Sequence, residues 1–489
     1  MKSKTAWYLL LVVLLFTASF ASAIHRESFY TEKCKDRCLD LPHSEERTRQ
    51  RCEERCEKEE GNKQKKNPLV FGPESFLDRV RSEHGRVSSL NNFYTLSPLL
   101  LGIANYHLAI LEVHPLTFVM PTHLDADSVF YVVDGVGAIS ILHEGGRESH
   151  TLRQGDILRV WAGSIIYLIN KSKNQKLVIA NLLRPVGNPS NVQVFHSAGR
   201  DAAESYYRSF SIEIMEAALN TPRYRLLPFL EKHKREVIVK APEEKIKAMA
   251  RHSSKSESGT WPFTRTKKPF NLLDKKPTHQ NNRGQLFEAD SNDYEQLKDV
   301  NARISFANIT SGSMEAPFFN TRATKISIVV KGSGYVEIIC PHVSQKDPGE
   351  KGEGYGQEDD EEEMQQKPKY RRVSSVLSVG TVFVSPPGHP TAIVASPEQS
   401  VHVLCFEVGA ENNEKIFVAG KNNILNEMEE EAKEIAFDVP SRVADEILGA
   451  QAAEVFVAGP KKEQEARESE VAATAGRTFD SFLHFAAAF

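Results

Sequence analysis

The chain has 489 residues, with 61 Lys and Arg against 65 Asp and Glu and a charged fraction of 26%. That length accommodates two or three domains. Nothing in the near-balanced charge suggests the basic face that nucleic-acid binding needs, and the charged fraction is that of an ordinary soluble globular protein.

Residues 1–23 read as a secretory signal. Lys2 and Lys4 supply the charge, Leu9 to Phe16 form an apolar run too short to span a bilayer, and Ala21-Ser22-Ala23 fits a small-residue cleavage site. No later run is long and apolar enough to span, so no stable membrane insertion is expected. The C-terminal Phe485 to Phe489 is small and apolar and is not an ER-retrieval tetrapeptide. It reads either as a frayed end or as a vacuolar sorting address.

Four of the six cysteines follow, as Cys34, Cys38, Cys52 and Cys56. A spacing of four puts each pair on one helix face. Two such helices turning at Leu41-Pro42-His43 fold back antiparallel and pair Cys34 with Cys56 and Cys38 with Cys52. The secretory route permits these disulfides, and a hairpin this small needs them; each contributes about 2–4 kcal/mol. A four-cysteine zinc site is the rival, although its usual pair spacing is two intervening residues rather than three. Residues 24–67 are thus an α-helical hairpin with a charged linker from Glu57 to Asn67, open to proteases.

From residue 68 the pattern changes to short β segments separated by Gly and Pro. Tyr106 to Val113, Val129 to Val133, Ala138 to Leu142, Ile157 to Trp161, Ile165 to Ile169 and Leu177 to Leu183 predict a sandwich or barrel. A helical arm over Ala202 to Leu219 ends at Asn220-Thr221-Pro222, and Lys245 to Ala250 adds a helical turn. This first domain spans 68–250, and 251–268 is a linker. The second domain, 269–450, repeats the pattern with strands at Ile304 to Ile309, Ile326 to Val330, Tyr335 to Ile339, Val376 to Val384, Ala392 to Ala395 and Val401 to Val408. The repeat registers on glycines: Gly135 and Gly155 are 20 residues apart, Gly332 and Gly380 are 48 apart. The excess falls in an insertion, 344–369, holding six consecutive acids, Glu358 to Glu363, that repel one another and stay solvated. Ile424 to Ala436 and Ser441 to Leu448 form a second helical arm whose apolar stripe needs a partner. Residues 451–489 read as a flexible tail.

Strand, glycine turn, strand, glycine-led second motif, twice over, resembles the two-motif signature of the cupin barrel. The predicted fold is therefore mainly β: two jelly-roll barrels, each followed by a helical arm, plus the N-terminal hairpin. In cupin enzymes the first motif supplies two His and a Glu and the second a third His. Here the corresponding positions hold Pro121, His123, Ser128 and Ile166 in the first copy, and Phe318, Asn320, Lys325 and Thr391 in the second. One imidazole holds no metal firmly, so the resemblance implies no enzyme of the usual cupin type.

The segments 105–126 (NYHLAILEVHPLTFVMPTHLDA), 261–289 (WPFTRTKKPFNLLDKKPTHQNNRGQLFEA), 320–334 (NTRATKISIVVKGSG), 380–390 (GTVFVSPPGHP) and 406–437 resemble the vicilins, seed storage globulins, close to their sucrose-binding-protein-like branch. The resemblance covers about 68–450. It implies a nutrient reservoir, a homotrimer joined through the helical arms, no required cofactor, and deposition in the protein storage vacuole, with the extracellular space as the alternative destination. Two other roles follow from the same chain. One is binding of a sugar or other small molecule, or of copper with zinc as the alternative, by Cys340, His342 and His389. Cys340 and His342 point to one face of a strand end, and His2Cys sets suit copper; some vicilins bind copper at matching positions with an added tyrosine, for which Tyr94 and Tyr106 are the candidates. The other is a defence peptide cut from the hairpin, inhibiting proteases through Arg47 or Arg49. Cys405 reads as a small core hydrophobe. Asn308 and Asn170 head glycosylation sequons, both in or beside predicted strands, where a bulky sugar fits poorly.

Overall fold

The computed structural model describes residues 67–143, 146–197, 205–231, 236–254, 268–341 and 370–460. Residues 1–67 and 68–489 fall into separate units. The signal segment, the four-cysteine hairpin with its disulfides, the acidic insertion 344–369 and the end of the chain from 461 lie outside the described residues.

Two barrels follow one another, each made of a seven-stranded and a six-stranded sheet among the described residues. The first seven-stranded sheet runs, in spatial order, Phe270–Asn271, Asp156–Val160, Ala126–Asp134, Leu177–Pro185, His107–Val113, Gly85–Leu90 and Phe76–Ser82. The second repeats it position by position: Val70–Phe71, Val382–Ser385, Thr324–Lys331, Val401–Val408, Ala302–Ile309, Gly284–Ala289 and His279–Asn281. The six-stranded sheets match in the same way, Thr117–Leu124 standing where Ser313–Asn320 stands in the copy.

The two leading strands are exchanged. Val70 pairs with Phe383 of the second barrel, although it lies at the start of the first. Phe270 pairs with Ile157 of the first, although it opens the second. Each seven-stranded sheet is therefore closed at one edge by the segment that precedes the other barrel, which covers backbone groups that would otherwise offer an open edge.

Strand alternation sets where the core lies. In Ala126–Asp134, Phe130 and Val132 point into the first barrel with Ile139, Ile141, Leu152, Leu158 and Ile179. Val129, Tyr131 and Val133 point the other way, into a cluster shared with Ile304, Phe306 and Leu404 of the second barrel. Both faces of these strands are buried, so their residues read as near-continuous apolar runs. Fully burying a side chain such as Ile139 contributes about 1.5–3 kcal/mol.

Several expectations are corrected. The strands Thr117–Leu124 and Ser313–Asn320 were not foreseen, because Pro121 and Pro317 break their apolar pattern. Both prolines sit at irregularities in the ladder, between the pairs Leu168–Val119 and Ile166–Thr122 and between Glu315–Ile393 and Phe318–Thr391, where a missing N–H costs no ladder bond. The single strand expected over 376–384 is two, Arg371–Leu377 and Val382–Ser385, in different sheets. The helix expected over 202–219 is described as Tyr206–Ser209 and Ile212–Ala218, interrupted at Phe210 (φ −70°, ψ 150°). The helix expected over 424–436 becomes a 3₁₀ turn, Ile424–Glu427, and a helix, Glu430–Phe437. Residues 451–460 are not loose tail: Phe456–Ala458 pairs with Ser313–Glu315, and Val455, Phe456 and Val457 are buried. Their hydrophobicity holds them in the sheet.

Candidate functional site

The positions where a cupin enzyme holds metal are divided between the two sheets of each barrel. In the first, Ser128 is flanked in register by Leu183 and Val160, and Ile166 faces Thr122. His123 is stacked on Phe195 at 4.9 Å between ring centres and lies 5.8 Å from Tyr206. Burial pushes its pKa down. Imidazole, phenyl and phenol rings fill this mouth.

The second barrel fills the same place with charge. Lys325 pairs in register with Glu407 on one side and Ser385 on the other. Its ammonium donates to Glu407 Oε1 at 3.0 Å and to Ser305 Oγ at 3.4 Å. Lys415 donates to Glu315 Oε1 at 2.5 Å and lies 4.3 Å from the centre of the Phe318 ring. Phe318 stands opposite Thr391 in the ladder, and Thr391 Oγ1 donates to Ser385 Oγ at 3.0 Å. Lys325, Glu315 and Glu407 are each only 1% exposed, which makes this a desolvated ion cluster rather than a surface one. Burial works to raise the Glu407 pKa, but Lys325, Lys415 and Arg303 outweigh it and hold the carboxyl below the usual range. Burial likewise disfavours the Lys325 ammonium, and Cys405 with Glu407, Glu315 and Glu288 reverses that, raising its pKa. The second oxygens of Glu315 and Glu407 are buried with no hydrogen-bond donor among the described residues.

The proposed metal ligands are brought together only in part. Ile338 pairs with Thr391, and Ile339 N–H donates to Pro390 O at 2.9 Å. The strand end carrying Cys340 is therefore laid beside the turn carrying His389. His389 Nδ1 meets Pro387 O at 2.9 Å, which leaves Nε2 as the acceptor nitrogen, the arrangement usual for a ligating histidine. Cys340 is fully buried, and burial pushes its thiol up to about 11. His342 lies outside the described residues, and among the described residues no group of three or more His, Cys, Asp or Glu is placed to hold a metal ion. Of the tyrosine candidates, Tyr106 donates to Val300 O at 3.2 Å in the inter-barrel core, and Tyr94 is half exposed.

The sequons separate. Asn170 is fully buried, its amide donating to Val113 O and Gln175 O and its oxygen accepting from Ser172 N–H; it has no room for a glycan in the folded chain. Asn308 is half-buried mid-strand, paired with Gln285 and His402.

Residues missed by sequence reading are Glu407, Lys415, Arg159 and Asp299. Arg159 is fully buried between the barrels, with its guanidinium 3.2 Å from Asp127, bonded to Asp299 of the second domain and stacked 3.6 Å from the Trp161 ring centre. For Glu407 the available signal was a lone charge inside an apolar strand, in Cys-Phe-Glu-Val; Arg159 stands among apolar residues in Asp-Ile-Leu-Arg-Val.

Residues 270–445 match the family model described as cupin. The chain is 42% identical over 440 residues to vicilin Jug r 6.0101 of Juglans regia, covering 90% of this chain and 87% of that one. It is 41% identical over 450 residues to vicilin Cor a 11.0101 of Corylus avellana, covering 89% and 96%. The crystal structure of the Corylus avellana vicilin superposes with a TM-score of 0.71 at 42% identity, over 81% of this chain and all of that one.

Proposed function

The chain belongs to the vicilin family of seed storage globulins, and from that premise we propose that it is a non-enzymatic reserve, carried through the secretory pathway to the protein storage vacuole and assembled there as a homotrimer through its helical arms. The observation that supports the non-enzymatic reading is what stands at the metal positions of both barrels: in the first Ser128, Ile166 and a His123 stacked on Phe195, in the second an internal ion cluster at Lys325 and Glu407. Neither leaves an open coordination position of the kind metal catalysis requires. The test is abundance: the protein should accumulate to bulk levels in maturing seed and disappear on germination. Constant, scarce levels through both stages would overturn the reserve reading.

Support for assembly through the arms comes from side chains that a lone subunit leaves in water. Ile435 is 85% exposed and Ile447 69%, while Tyr224 and Phe229, on the helix Arg223–Glu231 that continues the first arm, are 74% and 70% exposed. Large apolar side chains left this exposed on both arms support a contact between subunits there. Light scattering of the Ile435→Glu, Ile447→Glu double variant should give the monomer mass; an intact trimer would remove this arm from the interface.

A second reading, copper held by Cys340, His342 and His389, is favoured by the ladder that sets Cys340 beside the His389 turn. The metal would have to displace the thiol proton, so uptake should weaken as pH falls. Metal content of the purified protein should drop with Cys340→Ser; an unchanged copper and zinc content would exclude Cys340 as a ligand.

A further inference from the structure

We propose that the groove between the helix Glu243–Ser254 and the first barrel binds a small amphipathic anion, a carboxylate or phosphate carrying a short apolar group. The groove encloses about 370 Å³. It lies outside both barrel interiors and is independent of the storage role.

The helix builds one wall by its periodicity. Glu243, Lys247 and Arg251 stand four residues apart in one row, and Ile246 and Ala250 form the neighbouring row. The apolar row packs on Ala138 and Ile169 of the barrel, and this packing turns the charged row toward the strand connection that bears Lys171 and Lys173. Four cations therefore line the groove against one carboxylate. That carboxylate is already engaged: Glu243 accepts from Lys173 at 2.8 Å and from Lys247 at 2.7 Å. Lys171, Lys173 and Lys247 alone outnumber that one carboxylate, so the rim is positive and an anion is its complement.

The floor is apolar, made by Leu116, Ile246 and Ala250. Leu116 has φ 52°, the left-handed region where glycine is free of strain and leucine is not. The backbone is fixed there because Leu116 N–H donates to Ser172 O and Leu116 O accepts from Ala241 N–H, each at 3.0 Å. A leucine in that conformation puts a hydrophobic side chain beneath a cationic rim. A purely ionic ligand would leave it wet, so the fitting ligand carries an apolar body as well as a charge.

The test is calorimetric titration of the whole protein with octyl phosphate, inorganic phosphate and octanol. Octyl phosphate should bind saturably at one site per chain and weaken with added salt, while inorganic phosphate binds at least about tenfold more weakly and octanol gives no saturable heat. Lys171→Glu, a half-buried position just after the strand Ile165–Asn170, should weaken octyl phosphate by at least about tenfold. Leu116→Gly relieves the backbone strain but loses the leucine's packing on Ala138, Ile169 and Ile246, so it should stay folded with a modestly lower melting temperature and bind octyl phosphate about tenfold more weakly. Absence of saturable binding to the unaltered protein, an unchanged affinity in Lys171→Glu, or equal affinity for inorganic and octyl phosphate would each overturn the proposal.

Discussion

The ion pair inside the second barrel makes a sharp prediction about stability. Lys325 and Glu407 are both 1% exposed and joined at 3.0 Å. Replacing Lys325 by Met keeps the length of the side chain and removes the charge, leaving Glu407 buried with only Arg303, at 3.9 Å, and the more distant Lys415 to offset it. Breaking one side of such a pair costs about 3–5 kcal/mol, because the remaining charge stays desolvated. Replacing both, Lys325→Met with Glu407→Leu, removes the desolvated charges together and should come back to within about 1 kcal/mol of the parent, or exceed it. Guanidinium unfolding of the two single variants and the double closes the cycle. The same pair sets the acid limit. The folded Glu407 pKa lies below its unfolded value of about 4.3. Its contribution is therefore complete above that pH and is lost as pH falls through the folded value. Melting temperature should hold from neutrality to about pH 5 and fall below about pH 4, and Glu407→Gln should flatten that acid limb. Single variants costing under about 1 kcal/mol, or a double variant as damaged as the worse single, would refute the account of a desolvated pair.

The turn glycines separate strain from collision. Gly332 has φ 76°, and a Cβ there would meet Ser400 O at 1.8 Å; Gly163 has the same φ with nothing within 4 Å. Gly163→Ala should cost about 1 kcal/mol and Gly332→Ala roughly 3 kcal/mol or more in thermal unfolding. Arg159→Met removes the contact with Asp127 inside the first barrel and the inter-barrel contact with Asp299; since Arg184 still pairs with Asp127 at 3.1 Å and Asp299 is half exposed, the cost should be about 3 kcal/mol rather than the upper end for a buried pair, measured by denaturant unfolding.

The doubled barrel was legible because its glycine turns are forced. Gly135 and Gly332 both adopt left-handed backbone with a carbonyl pressed against the missing Cβ, at 2.1 Å and 1.8 Å, so the sequence advertises the same turn twice. What could not be read is what depends on distant partners. Lys325 looked like a lost metal ligand, and only the register with Glu407 turns it into one half of a salt bridge. Pro121 and Pro317 hid two central strands, since a proline argues against a strand unless the ladder is known to break there. Phe456 was assigned to a tail by position in the chain, whereas it packs fully buried against the second barrel and pairs with Glu315. Cys340 ends a strand, as its sequence context predicts, whereas the approach of that strand end to the His389 turn follows from the Ile339–Pro390 hydrogen bond, which no local pattern predicts.

The exchange of leading strands changes what a domain means in this chain. A boundary drawn between the two repeats assigns Val70 and Phe71 to the first barrel and Phe270 and Asn271 to the second, yet the ladders place each pair on the opposite sheet. The face of the first barrel that carries Val129, Tyr131 and Val133 is buried in the same cluster as Phe306 and Leu404 of the second, and Arg159 ties that interface to Asp299. A barrel cut out at the repeat boundary would open a sheet edge, expose one whole apolar face and leave the buried Arg159 without Asp299. Each repeat has the strand order of a complete barrel, but neither has the buried surface of one. The repeats therefore stabilise each other through the same strands that line their interiors, and the unit that folds is the pair.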